Sequence, residues 1–334
     1  MGRFEDQLLD RLLSEHGHAL AAAERPAGEA PKRHRGRWVA AGGTVAAIVA
    51  GVLVVQAVPF GDAPVAAAAA AEVLNEAADR IGASDPVVAP GQYLYVESHR
   101  WDMLITHTED RTFSYLQENV IQTWVPHDRN DEWLQRTYVT GQREWLEGSE
   151  ADLPALGVDP DDRQLDVRRA RCGDFYPEGG EAPCEREGSW QDPTPEFVAA
   201  LPSDPRELYD ELLEVAEEDD EDPSLTVLDF VDDAIQRGLL PASLRANLYR
   251  ALAFVPELEI SDRSANLDGR VGIGLGIDRG GWRQELIIDQ DTGQYIGGRL
   301  TTTRDFPEVP AGTVMSYTSL STAVVDRIGT EPER

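Results

Sequence analysis

The spacing of apolar residues changes along this chain, and each change predicts a different element. Residues 4–20 put Phe4, Leu8, Leu9, Leu12 and Leu13 on one face of a short helix, with Glu5, Asp6, Asp10 and Arg11 elsewhere. Residues 26–31 read as a flexible link. Residues 38–58 form a single apolar run of 21 residues without a charge, in which Gln56 is the one amide. At about 1.5 Å per residue that run makes roughly 30 Å of helix, enough to cross a bilayer core. After a short break at 59–64, residues 66–81 (AAAAAAEVLNEAADRI) are strong helix formers that stop at Gly82.

From Tyr93 the period drops to two. Short strands are expected at 93–98, 103–109, 112–118, 120–125, 132–139 and 143–147, separated by polar turns and forming an antiparallel meander. Trp101, Trp124, Trp133 and Trp145 are expected to line its apolar face or shape an apolar groove. Residues 148–193 look irregular. Helical spacing returns at 194–200, at 205–217 behind an Asp204 cap, at 225–237 and at 242–254. Strands close the chain at 258–261, 270–278, 282–289 and 294–302, with a last candidate at 313–328. In 270–278 Val271, Ile273, Leu275 and Ile277 alternate with Gly272, Gly274 and Gly276. The small face should admit a close neighbour or a ligand. No helix follows these glycines, so they are not a dinucleotide fingerprint.

Charge sets the orientation. Lys32, Arg33, Arg35 and Arg37 immediately precede the apolar run, and the first charge after it is Asp62. The positive-inside rule places 1–37 in the cytoplasm, 38–58 as a single-pass anchor and 59–334 outside the cell membrane. A cleaved signal peptide is the competing reading; the long polar leader favours a retained anchor. The amphipathic helix, too short to stand alone in water, should then dock through Phe4, Leu8, Leu9 and Leu12 on a cytoplasmic partner, on a second copy or on the inner leaflet. Residues 1–37 hold 7 of the chain's 30 basic and 6 of its 61 acidic side chains, leaving 23 and 55 in residues 38–334, a net of −32. So acidic an outer part repels nucleic acid, which is not expected as a partner.

The chemistry that can be read is sparse. Cys172 and Cys184 bracket CGDFYPEGGEAPC and, outside the cytoplasm, are expected to form a disulfide. A zinc site there lacks paired Cys and His. His16 and His18 have no accompanying cysteine, and His99, His107 and His127 show no ligand spacing. The acidic run at 217–222 reads as a solvated loop. Asp289, Asp291 and Gly293 read as a hairpin turn, since no glutamate closes a calcium loop. No nucleophile elbow, HExxH or phosphate loop occurs. Neither a cofactor nor an enzymatic activity is expected.

Several segments in order carry a family likeness: the basic-flanked anchor, GQYLYVES, LPSDPRELYDELL, LPASLRANLYRALAFVPELEI, DGRVGIGLGI and LIIDQDTGQYIGG. Together they resemble a widespread, largely uncharacterised family of actinobacterial single-pass membrane proteins, whose members often look like companions of extracytoplasmic-function sigma factors. The resemblance implies a regulatory or envelope role, with a sigma factor as the cytoplasmic partner, and carries no catalytic motif. A sheet with helices on one side also looks like the lipoprotein-carrier and sigma-regulator sensor fold, in which a half-barrel holds an acyl chain. The expected architecture is therefore α+β, with one transmembrane helix and an outer half-barrel-like sheet packed by helices. Its expected task is sensing or binding, the alternative being carriage of a lipid or other apolar ligand.

Overall fold

The computed structural model describes residues 67–333, apart from 82–84, 109, 160, 178–183 and 220–221. The expected cytoplasmic helix with Phe4, Leu8, Leu9 and Leu12, the apolar run and its flanking links lie outside the described residues. Among the described residues no helix is long and apolar enough to cross a membrane.

The chain is α+β. One helix, α1 (Ala68–Ile81), precedes three long strands, β1 (Tyr93–His107), β2 (Thr112–Pro126) and β3 (Glu132–Glu147), and the short β4 (Asp166–Arg171). Four helices follow: α2 (Pro195–Ala200), α3 (Pro205–Asp219), α4 (Pro223–Gln236) and α5 (Ala242–Leu252). The chain then returns to strands, β5 (Glu259–Leu267), β6 (Arg270–Arg279), β7 (Trp282–Ile288), β8 (Tyr295–Thr302) and β9 (Val314–Val325). All nine strands join one open antiparallel sheet in the order β4-β3-β2-β1-β9-β8-β7-β6-β5. Two meanders thus meet where β9 pairs with β1.

The six short strands expected between 93 and 147 are three long ones. Arg100, Asp102 and Asn119 look like turn residues but sit in mid-strand. The Arg100 Nε–H donates to both Asp102 oxygens, at 3.0 and 3.1 Å along the strand. The expected break at 140–142 is a bulge, where the β2–β3 register slips between Gln117 and Asn119.

Helix starts follow local chemistry. Thr194, Asp204 and Asp222 each stand before a proline and accept a backbone N–H of the first turn, from Phe197, Arg206 and Glu207, and Leu225. Each such cap stabilises by about 1 kcal/mol. The helices cover one face of the sheet. Val227, Leu228, Phe230, Val231 and Ile235 of α4 meet Ile273, Leu275, Ile277, Leu286 and Ile288 in one core. Burying a side chain of this size contributes about 1.5–3 kcal/mol.

The opposite face has no helix against it. Near one end the sheet curls, so that Ala265 and Leu267 of β5 cluster with Ile287, Ile296 and Tyr317, and Asp268 meets the Ser319 hydroxyl. The glycine face of β6 has a neighbour from the chain itself. A Cβ on Gly272 or Gly276 would lie 2.5 Å from the carbonyl oxygen of Ile288 or Gln284.

Candidate functional site

The four tryptophans expected to share a groove divide between the two faces. Trp101 and Trp124 point to the helix-free face. Trp101 stacks on Tyr317, and Trp124 packs on Tyr95 with Leu134 and Val325. Trp133 and Trp145 point the other way, Trp145 against Tyr115 and Trp133 against Gly173. Antiparallel register decides this, because Trp124 is opposite Leu134 and so faces away from its neighbour Trp133. The expected disulfide is present: Cys172 and Cys184 are bonded, with Cα atoms 5.4 Å apart.

The helix-free face carries buried charge. His99 of β1 lies between Glu118 Oε1, 2.7 Å from Nδ1, and Glu97 Oε1, 3.3 Å from Nε2. Glu97 also accepts the Tyr95 hydroxyl and the Gln122 amide, and Thr140 donates to Glu118 at 2.6 Å. Hydrogen bonds to Glu118 and then Glu97 raise the His99 pKa to about 10. The His99 hydrogen bond in turn holds Glu97 at about 2. This cluster keeps its charges at neutral pH and does not exchange protons there. A second cluster is as closed: Arg299 pairs with Glu285 at 2.7 Å and with Asp262 at 3.3 Å, and Ser261 donates to Glu285.

The helical face holds a cavity of about 500 Å³, within the roughly 300–1,000 Å³ usual for small-molecule sites. Its floor is Leu94 of β1, Leu320 of β9 and Tyr295 of β8; its roof is the α4–α5 corner, with Ile235, Leu239, Leu240 and Pro241. Gly238 makes that corner possible. It has φ 68°, and a Cβ there would sit 2.8 Å from Val96 Cγ1, so any side chain would lift the corner from the sheet. A smaller pocket of about 100 Å³ adjoins it, sharing Arg129 and Leu239 and walled by Trp133, Phe175 and the disulfide.

Three arginines line the larger cavity, each fixed by one N–H on a backbone carbonyl. Arg129, in the β2–β3 turn, donates to Leu239 at 3.0 Å; Arg245 of α5 to Leu240 at 2.7 Å; Arg270 of β6 to Leu320 at 2.6 Å. Arg245 also meets Asp85 at 3.0 Å. Arg129 and Arg270 have no carboxylate within 4 Å among the described residues, although Asp85 acts on Arg129 through space and Arg270 on Asp289. Burial lowers the Arg129 pKa. Every other described arginine that is at least half-buried does reach a carboxylate. In a chain with twice as many acids as bases, the exceptions are the two that share this cavity. No local motif marks either residue; one is in a turn and the other opens a strand.

No protein-family profile matches the chain, and no curated protein does. Among solved structures, the chain is similar to the Pseudomonas aeruginosa MucA/MucB complex at 13% identity and a TM-score of 0.26. That alignment covers 80% of this chain and 59% of the other. It is also similar to a DUF1329 family protein from Desulfovibrio piger, at 11% identity and a TM-score of 0.21, covering 79% and 94%. Neither score reaches the level of a shared fold.

Proposed function

We propose that this chain is a membrane-anchored envelope regulator whose outer domain binds an amphipathic anion in the cavity between sheet and helices. The observation that carries the reading is the pair Arg129 and Arg270, half-buried and without a carboxylate within 4 Å among the described residues, in a cavity whose aliphatic wall is Leu94, Ile235, Leu239, Leu240 and Leu320 and whose lining carboxylate, Asp85, pairs with Arg245. Partly desolvated guanidinium groups without a counter-charge are costly to keep, and a bound anion would offset that cost. The aliphatic walls favour an apolar body behind the acidic group. Nothing in the cavity resembles a nucleophile with its base, so the task is binding rather than turnover. Anchor, orientation and a cytoplasmic partner such as a sigma factor are part of this proposal and rest on the sequence pattern of residues 1–58.

The test is mass spectrometry of the full-length protein purified from its own membranes in mild detergent. The expected result is an anionic amphiphile that stays bound to the native protein and is lost from Arg129→Gln/Arg270→Gln. Absence of an amphiphile, or equal retention by the variant, overturns the binding reading. A copy lacking residues 1–37 should keep the amphiphile and lose any cytoplasmic protein; a cytoplasmic partner retained by that copy removes the contact assigned to Phe4, Leu8, Leu9 and Leu12.

A further inference from the structure

The two edges of the sheet are built differently. On the β5 edge the register with β6 slips between Ile260 and Asp262 and again between Asp262 and Ala265. Such irregularities are a usual way of blunting an edge. On the opposite edge β4 pairs with β3 in unbroken register from Glu132–Arg171 to Thr137–Asp166. Among the described residues the one backbone bond on its outer side is at its end, where the Asp174 N–H donates to the Arg171 carbonyl at 3.1 Å; the outward groups of Val167 and Arg169 have none. β4 contains no proline or bulge, and Val167 on it is 52% exposed.

Its charge is also out of character. A chain with a net charge of −31 places Arg168, Arg169 and Arg171 in this six-residue strand, against Asp166 alone. Arg169 and Arg171 share the helix-free face with Val167; Arg168 lies on the other face beside Asp166. Arg168 meets Asp166 at 2.5 Å, both half-buried, and Arg169 meets Glu132 at 2.8 Å, both exposed. Exposed pairs of this kind contribute little and exchange readily. Among the described residues the Arg171 side chain donates to the Asn130 carbonyl alone, at 3.3 Å.

We propose that the outer edge of β4 is a docking strip for an extended, carboxylate-rich segment of a partner protein, which adds to the sheet as a further antiparallel or parallel strand. Main-chain hydrogen bonds would supply affinity, and acidic side chains at alternate positions would face Arg169 and Arg171. A second copy of this chain is the poorer occupant. Antiparallel self-pairing keeps like faces together, and the registers of greatest overlap set Arg168 or Arg169 against its own copy, which repels. The proposal is independent of the cavity and its ligand.

The test uses full-length protein in mild detergent and a fluorescent, end-capped peptide alternating glutamate and valine. Binding is followed by anisotropy and by hydrogen exchange of the backbone amides. The expected result is saturable binding, with slowed exchange confined to residues 166–171. A glutamine-for-glutamate peptide should bind about tenfold more weakly, as should the native peptide to Arg169→Glu/Arg171→Glu. Methylating alternate peptide amides on the pairing edge should abolish binding. The proposal is overturned by no binding, by indifference to amide methylation, by protection elsewhere, or by a concentration-dependent dimer that protects β4 without peptide.

Discussion

Replacing Asp232 by asparagine tests how the helical layer sits on the sheet. Asp232 is buried on α4, and the Tyr295 hydroxyl of β8 donates to its Oδ1 at 2.8 Å. It lies so close to Gly298 that a Cβ there would be 2.5 Å from Oδ2. Burial is the chief cause that raises its carboxyl to about 8. The Tyr295 hydrogen bond opposes the rise, while Asp233 and Asp229 on the same helix add to it. Tyr249 of α5 is buried nearby, its own phenol pushed up by burial. Between the ordinary value of 3.8 and about 8, the folded protein keeps a proton that the unfolded chain has released. The folded state binds more protons there, so stability falls as pH rises through that window. At about 1.4 kcal/mol per unit, a window of ~4 units sets a ceiling of about 6 kcal/mol. Relaxation and water entry bring the expected loss to on the order of 2–4 kcal/mol. Asparagine keeps an oxygen for Tyr295 and never ionises. Asp232→Asn should therefore match the native protein within about 1 kcal/mol near pH 4 and exceed it by about 2–4 kcal/mol near pH 9. That gain corresponds to a thermal midpoint higher by roughly 5–15 °C in a domain of this size. Circular dichroism melts at steps across this range read the difference directly, since the other titrating groups are common to both proteins. Parallel midpoint curves, or a variant that loses most ground at high pH, refute the reasoning.

Arg129→Met should leave the ligand-free protein within about 1 kcal/mol of native stability, because it removes a desolvated charge along with one hydrogen bond. Urea unfolding of delipidated protein checks this, and a loss of several kcal/mol would make Arg129 a structural residue. His99→Ala strands Glu97 and Glu118 without their cation and should cost about 2 kcal/mol near pH 7. The His99 contribution is full below 6.5 and lost as pH rises through about 10; that of Glu97 is present above 4.5 and lost as pH falls through about 2. The native–variant gap in denaturant midpoint should thus close at both extremes, and the His99 ring signals should not shift between pH 6 and 8. Cys172→Ser/Cys184→Ser opens a link between residues 12 apart and should cost about 3 kcal/mol, seen as a lower melting midpoint in the absence of reductant.

What could be read from the chain was local. Thr194–Pro195, Asp204–Pro205 and Asp222–Pro223 announce helix starts because cap and proline act within a few residues. The alternation in 270–278 marked a strand, but both its aliphatic and its glycine positions are buried from Gly272 to Ile277, and Val271 stays exposed. Strand lengths were misread because Arg100 and Asp102 satisfy their polar groups on each other along the strand and Asn119 stands opposite Arg100 within the ladder, where a sequence shows only a polar break. β4 was missed for a related reason. Its half-buried positions are Asp166, Arg168 and Ala170 and its exposed ones include Val167, so its alternation is inverted. The division of the tryptophans between faces depends on register, which is fixed between strands and not within them. The cavity brings together a turn, a strand start and a helix corner, and no periodicity in any one of them signals the meeting.

The two faces of the sheet hold charge in opposite ways, and the contrast locates the site. On the helix-free face His99 has two glutamates, and Arg299 has Glu285 and Asp262. Each buried cation there is matched by the sheet's own carboxylates, so the face is stiffened by its charges and asks for no counter-ion. On the helical face the cavity keeps Arg129 and Arg270 without a carboxylate within 4 Å among the described residues, beside a wall of Leu94, Ile235, Leu239, Leu240 and Leu320. Carboxylates are in excess in this chain, so scarcity does not explain the vacancy. Among the described residues the cavity's one lining carboxylate, Asp85, is taken by Arg245, which leaves the counter-charge of Arg129 and Arg270 to be supplied from outside the fold, by a ligand small enough for about 500 Å³ and apolar enough for its leucines. The same accounting separates that site from β4, whose Arg169 and Arg171 are exposed and set along an outer strand edge, where a peptide and not a small amphiphile meets them.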